Sequence, residues 1–293
     1  MDVGIGLPNA VPGTEATTIT DWAVQAEQAG FSTLGTIGRL VYDGYEELIA
    51  LTAAAAVTSR IRLTTSVLLA PLYSNAALLA KQAVSLERLS GGRFVLGLGL
   101  GGRGDDYSVS GLDTAGRGRR FDAQLHTLQR VWRGEERGVA GPVGPSPTRE
   151  GGPELILGGS VEASFQRVAR FADGWIMGGG TPEMFAQGTE AVEAAWREAG
   201  RAGRPRKLCL AYFALGDDAR QNADDYLLHY YGFLGDIADQ IAASAAVSPE
   251  MVAGYAAAFR DAGCDELIFI PTVARLDQVD LLAEALRKSG RTR

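Results

Sequence analysis

Three glycine-rich stretches hold most of the residues that could meet a ligand through bare backbone. In "RFVLGLGLGGRGDD" (residues 93–106) an apolar run carries glycine at every second position, Gly97, Gly99 and Gly101, ahead of Gly102 and Gly104. Glycines at alternate positions clear one face of a strand, where a flat ligand or another backbone can come close. Tight packing against small residues is the other reading, and the pattern leaves both open. It lacks the form of a dinucleotide-binding turn, whose glycines lie directly between a strand and a helix, with an acidic residue about 20 positions later. Here the glycines sit inside the strand, and no helix is predicted before about Arg117. "GGSVEASF" places Gly158, Gly159 and Ser160 just before a helix start. "GGGTPEMF" repeats the device with Gly178, Gly179, Gly180 and Thr181, and Pro182 suits a first helical position. Free amides and the helix dipole favour an anion at such starts.

Groups for acid–base or metal chemistry are scarce. His126 falls on a helix, and His229 lies in the tyrosine-rich "YLLHYYGF" (residues 226–233). Both read as structural. Cys209 and Cys264 form neither a disulfide framework nor a metal-ligand spacing, so no metal is expected. A net charge of −7 argues against nucleic acid as a partner. No apolar run is long enough to span a membrane, and "MDVGIGLPNA" lacks the basic flank and apolar core of a signal peptide. The expectation is a cytoplasmic protein acting on a small molecule. The basic residues are mostly arginine, and alanine and glycine abound, as in a GC-rich genome.

These residues need elements to position them, and the chain supplies a regular alternation. Strands are predicted at 3–7, 32–37, 61–69, 94–100, 154–159, 174–179, 208–215 and 266–270. Helical segments follow at 17–29, 45–57, 75–89, 119–132, 161–172, 182–199, within 221–262, and at 276–288. Gly30 reads as a helix C-cap and Asn75 as an N-cap. Eight β-then-α units imply a parallel sheet with right-handed crossovers, and at this length an α/β fold of the (β/α)8 TIM-barrel type. Two doubly wound halves would need a linker, for which "GPVGPSPTREGGP" (residues 141–153) is the one stretch available; a long loop explains it as well. The reading is one barrel domain over residues 1–293 with insertions in its βα loops.

Residues 60–101, "RIRLTTSVLLAPLYSNAALLAKQAVSLERLSGGRFVLGLGLG", resemble the most distinctive block of the bacterial luciferase-like superfamily of flavin monooxygenases and reductases. The likeness continues through residues 111–134, 155–176 and 261–273. It implies a (β/α)8 barrel, a homodimer, and FMN or the deazaflavin coenzyme F-420 bound at the C-terminal mouth. It implies that the ring lies at the end of strand three, around Ser66 and Val67, where a non-proline cis peptide or a bulge is expected. It also implies that Gly99 and Gly101 line the cofactor, and that the loops Gly158–Ser160 and Gly178–Thr181 hold its phosphate. Arg39, Asp105, Asp106 and Tyr107 are expected to rim the mouth. One of Arg117, Arg119 and Arg120 is available for an anionic group.

The sequence departs from the family pattern after strand two, where a histidine is common and "TIGRLVYDG" stands, and at Gly102, where an aromatic or acidic residue is common. No general acid or base follows from the likeness. The aromatic segment 223–244 is expected to cap the pocket, with Tyr230 or Tyr231 facing in. The function implied is a flavin- or deazaflavin-dependent oxidoreductase, and the GC-rich composition leans the cofactor toward the deazaflavin. The alternatives are a flavin-binding barrel without turnover and a barrel enzyme acting on a phosphorylated metabolite.

Overall fold

The computed structural model describes residues 1–289. Among the described residues eight strands form the barrel staves: β1 (Asp2–Gly6), β2 (Thr33–Thr36), β3 (Arg62–Thr65), β4 (Phe94–Gly99), β5 (Glu154–Gly158), β6 (Gly174–Met177), β7 (Arg206–Phe213) and β8 (Glu266–Pro271). Each pairs in parallel with its sequence neighbours. β8 also pairs with β1 through Asp2↔Glu266, and β3 with β4 through Leu63↔Phe94, which closes the barrel.

Alternation along the strands sorts side chains to two faces. Ile5, Leu34, Leu63, Leu96, Leu155, Trp175, Phe213 and Phe269 pack outward against the helices. Val95, Ile156, Ile176, Leu208, Leu210, Ile268 and Ile270 form a separate cluster that fills the barrel. Glycines opposite these large residues provide the space. A Cβ on Gly35 would stand 2.9 Å from the Ile268 side chain, and one on Gly6 2.8 Å from that of Ile270.

The helices are α1 (Ala16–Ala29), α2 (Glu47–Val57), α3 (Ala76–Leu89), α4 (Gly104–Val109), α5 (Arg117–Trp132), α6 (Glu162–Phe171), α7 (Pro182–Glu198), α8 (Ala219–Tyr231), α9 (Asp236–Ala243), α10 (Pro249–Asp261) and α11 (Asp277–Ser289). Gly30 ends α1 at φ 88°, and the Asn75 carboxamide accepts from the Leu78 amide at 3.0 Å, as the sequence leads one to expect. Two expectations fail. α4 begins at Gly104, before Arg117, because Asp105 and Asp106 suit a helix start despite the surrounding glycines. The strand expected over 61–69 is interrupted at Ser66–Val67 and resumes only at Leu68–Leu69. The loop at 137–142 carries a small antiparallel ladder, Arg137–Gly138 with Gly141–Pro142. Among the described residues no helix is long and apolar enough to cross a membrane.

Candidate active site at the barrel mouth

Strand three shapes the mouth. The Ser66–Val67 peptide is cis, in line with the expectation for this position, and Leu68 and Leu69 rejoin β4 opposite Leu98 and Gly99. The Thr65 hydroxyl donates to the Gly97 carbonyl at 2.7 Å and lies 2.9 Å from the Gly97 amide, which donates to it. A Cβ on Gly97 would stand 1.8 Å from the Thr65 carbonyl oxygen, and one on Gly99 2.6 Å from the Val67 side chain. Of the two readings of the alternating glycines, close approach of neighbouring backbone is the one seen at Gly97. Gly99 and Gly101 turn their bare faces to Val67 and Leu69. The Ser66 hydroxyl is buried with no hydrogen-bond partner.

The two glycine loops follow β5 and β6 at the same end of the barrel. Gly159 takes φ +131°, its carbonyl accepts from the Trp175 indole at 2.8 Å, and a Cβ there would strike the Ser164 hydroxyl at 2.3 Å. Only glycine fits. Ser160 is exposed, and no side chain caps the α6 start. In the next loop Gly178 and Gly179 have open space where a side chain would be, and Gly180 takes φ +134°. The Thr181 hydroxyl accepts from the Met184 amide at 3.3 Å and starts α7.

α8 covers the barrel interior with aromatic rings. Tyr226 and Tyr230 are buried in the cluster that fills the barrel, and the Tyr231 hydroxyl lies 2.6 Å from that of Tyr212 on β7. Tyr230 stacks on Tyr226 and meets Tyr42 and Tyr231 edge-on. Burial pushes all four hydroxyls of Tyr212, Tyr226, Tyr230 and Tyr231 toward the protonated form. Arg103 lies beneath this cap, 4.3 Å from the Tyr230 ring centroid and 4.6 Å from that of Phe233, with one guanidinium nitrogen unpartnered. Arg39 joins the cap to the neighbouring loops. It donates to the Tyr230 carbonyl at 3.3 Å and to Asp105 at 2.6 Å.

A cleft of about 320 Å³ opens beside the cap, between the loops after β2 and β3. Glu46, Glu47, Leu40, Leu69 and Tyr73 are among the residues that line it. The Tyr73 hydroxyl donates to Glu46 at 2.6 Å. Glu47 is buried, and its carboxyl group is raised from 4.5 to about 7, first by burial and then by the charges of Glu46 and Asp106. Its own amide opposes the rise.

The family model for luciferase-like monooxygenases matches residues 1–292. The chain belongs to this family. A Mycobacterium tuberculosis protein of uncharacterized function is 34% identical over 172 residues, which cover 55% of this chain and 60% of that protein. Solved structures share the fold of this luciferase-like chain. An F420-dependent secondary alcohol dehydrogenase in complex with an F420-acetone adduct superposes at a TM-score of 0.81 with 15% identity, over 98% of this chain and 99% of that one. The oxygenating constituent of the Pseudomonas putida 3,6-diketocamphane monooxygenase, in complex with FMN, does so at 0.72 with 18% identity, over 98% and 96%.

Ser66, Val67, both glycine loops, Arg39 and Asp105 thus all lie past the C-terminal ends of the strands. Two expected rim residues are corrected. Asp106 is fully buried and accepts from the Val41 amide at 2.7 Å, and Tyr107 is buried with its hydroxyl 2.5 Å from the Leu100 carbonyl. In the helical turn of α4 these two point into the protein while Asp105 points out. Tyr230 is a packing residue in the middle of the cap. Arg120 is spent on the Asp113 and Ala115 carbonyls that precede its own helix. His126 contacts Arg170 and Phe171, and His229 bonds Tyr42 at 2.9 Å. Arg103 and Glu47 join the site only in the structure. An arginine directly after a glycine-cleared strand was a signal for the first; nothing local marked the second.

Proposed function

We propose that the barrel mouth binds FMN or the deazaflavin F-420 and that the protein is an oxidoreductase acting on a small organic molecule. The observation that carries this is the buried Ser66 hydroxyl, left without a partner where strand three breaks beside the bare face of Gly99, with a second unpartnered donor at Arg103 after β4. A buried donor without a partner costs roughly 1–3 kcal/mol, and a ligand at the mouth would supply the missing partner. Family membership and the glycine loops support the same reading.

Bound there, the cofactor supplies hydride transfer if it is the deazaflavin, or also oxygen activation if it is FMN. The chain's residues do the rest. Gly178, Gly179 and the open start of α6 would hold the phosphate through backbone amides. Ser66, Val67 and the glycine-lined β4 would carry the ring. Tyr226, Tyr230 and Tyr231 keep water from the barrel side of the site.

Gly178→Asp tests the reading, since Gly178 has room for a side chain. Titration with FMN and with F-420, followed by fluorescence, should give submillimolar binding of one of them, weakened at least about tenfold in the variant by charge repulsion. Binding of neither cofactor to the wild type rules the proposal out. Gly159→Asp is the poorer test, because the clash with Ser164 would disturb the loop in any case.

A further inference from the structure

The cleft beside the aromatic cap has a floor built around one carboxyl group. Glu47 is 6% exposed and is packed against bare Gly38, where a Cβ would come within 2.3 Å of the carboxyl carbon. Glycine at 38 is what lets the carboxyl group lie there. Among the described residues no other residue donates a hydrogen bond to it; only its own amide reaches it. Glu46, one position earlier, is engaged twice, by the Ile49 amide at 2.7 Å and by the Tyr73 hydroxyl. The two adjacent glutamates therefore differ: one caps a helix, and the other faces the cleft unpartnered.

We propose that the substrate sits in this cleft and that Glu47 exchanges a proton with it, the substrate being an uncharged molecule with a carbonyl or hydroxyl group. This rests on the redox reading of the mouth. The groups facing Glu47 set the substrate's charge. Glu46 on its own helix and Asp106 on α4 oppose an anion, Arg39 after β2 opposes a cation, and Tyr73 after β3 and Tyr230 on α8 are neutral. Asp106 and Tyr230 act from behind the wall, which beyond Glu46, Arg39 and Tyr73 is glycine and the apolar Leu40, Leu69 and Leu72. A volume of about 320 Å³ suits a small organic molecule.

In the reducing direction the Glu47 O–H bond breaks and an O–H bond forms on the substrate oxygen. A bound reduced cofactor would supply the hydride that the carbonyl carbon takes up. The carbonyl becomes an alcohol, and the Glu47 carboxylate regains its proton from solvent. The reverse reaction runs with Glu47 as base. A carboxyl group poised near neutrality can serve both directions.

Diazoacetamide tests the cleft without any cofactor. It esterifies protonated carboxyl groups: its carbon takes the carboxyl proton, dinitrogen leaves, and the carboxylate oxygen forms the new bond. On the full chain at about pH 6, mass spectrometry should find the Glu47 peptide labelled ahead of exposed carboxylates, and at about pH 9 labelling should fall at least roughly tenfold as the group ionises. Glu47→Gln should lose that adduct alone. In the cofactor-loaded enzyme, Glu47→Gln should keep cofactor affinity and lose turnover by roughly 10²–10⁴-fold. Labelling that spares Glu47, or unchanged turnover in the variant, overturns the proposal. A chain labelled at Glu47 that binds neither cofactor sinks the redox reading and leaves the reactive cleft standing.

Discussion

The two ends of the barrel are built on opposite terms. At the N-terminal end a chain of polar contacts crosses the floor. The Ser32 hydroxyl donates to Glu266 at 2.5 Å, Glu266 pairs with Arg206, Arg206 with Glu154 at 2.7 Å, and Glu154 with Arg62. Around it, Asp265 binds both Arg204 and the Lys207 amide, Asp173 both Arg149 and the Leu155 amide, and Glu27 the amides of Ser59, Arg60 and Ile61. At the C-terminal end Ser66, Arg103, Asp106 and Tyr226 keep unpartnered atoms, and Glu47 keeps a near-neutral carboxyl group. The acids named on the floor are paired with the protein's own groups, whereas these mouth atoms are left without partners. In this architecture the first pattern belongs to stability and the second to function.

Substitutions should separate the two ends. The largest effect on stability is expected from Glu266→Ala, which removes a fully buried carboxylate from the floor and leaves Arg206 and Ser32 short of a partner. Breaking one side of a buried pair costs about 3–5 kcal/mol. Urea unfolding should show a loss of this size, while cofactor affinity of the folded fraction stays put. A loss under about 1 kcal/mol would mean that the floor is not what holds this end together.

The next largest is a pH effect at the mouth. Glu47 titrates at about 7 in the folded protein against an ordinary 4.5, so the folded state binds its proton more tightly. Stability should therefore fall as pH rises from about 4.5 and level off above about 7, by an amount on the order of 3 kcal/mol. In Glu47→Gln that fall should be absent. Parallel pH profiles of melting temperature for the two proteins would refute a buried neutral carboxyl group.

Gly97→Ala should cost roughly 1–3 kcal/mol, because its methyl meets the Thr65 carbonyl and not a flexible side chain. Unlike the floor substitution, it should also weaken cofactor binding, since β3 carries Ser66 just beyond the point of contact. Calorimetry paired with a binding titration separates the two losses. The smallest effect belongs to Asp105→Ala. Its pair with Arg39 is half exposed on the acidic side, and such pairs are worth about 0–1 kcal/mol. A larger loss in melting temperature would show that Arg39 depends on Asp105 to hold the cap.

The barrel was legible in the sequence because its signals are local. Short apolar strand runs alternating with helical segments, Gly30 and Asn75 at helix ends, and paired glycines at loop starts each report a backbone requirement within a few residues. Ser66 and Val67 were legible through likeness to a family. The finer parts of the mouth were not, because they depend on contacts between distant loops. In "YEELIAL" Glu46 and Glu47 look like two ordinary acids at a helix start, and only the packing of Gly38 and Tyr73 separates them. Asp105, Asp106 and Tyr107 read as one polar edge until the turn of α4 points them apart. Arg103 was visible only as an arginine after the glycine strand, since the rings it lies against are on and just past α8, far along the chain.

The closure of the sheet bears on how the chain comes into being. Asp2 on the first strand takes its partner, Glu266, from the last. During synthesis from the N-terminus, β1 must wait for nearly the whole chain with one row of backbone groups unpaired, and β7 waits beside it. Contacts so distant in sequence form slowly, and open strand edges invite pairing between molecules. A nascent chain stalled before residue 266 should therefore be prone to aggregation and readily cleaved by protease, and release of the final strand should convert it to a resistant form.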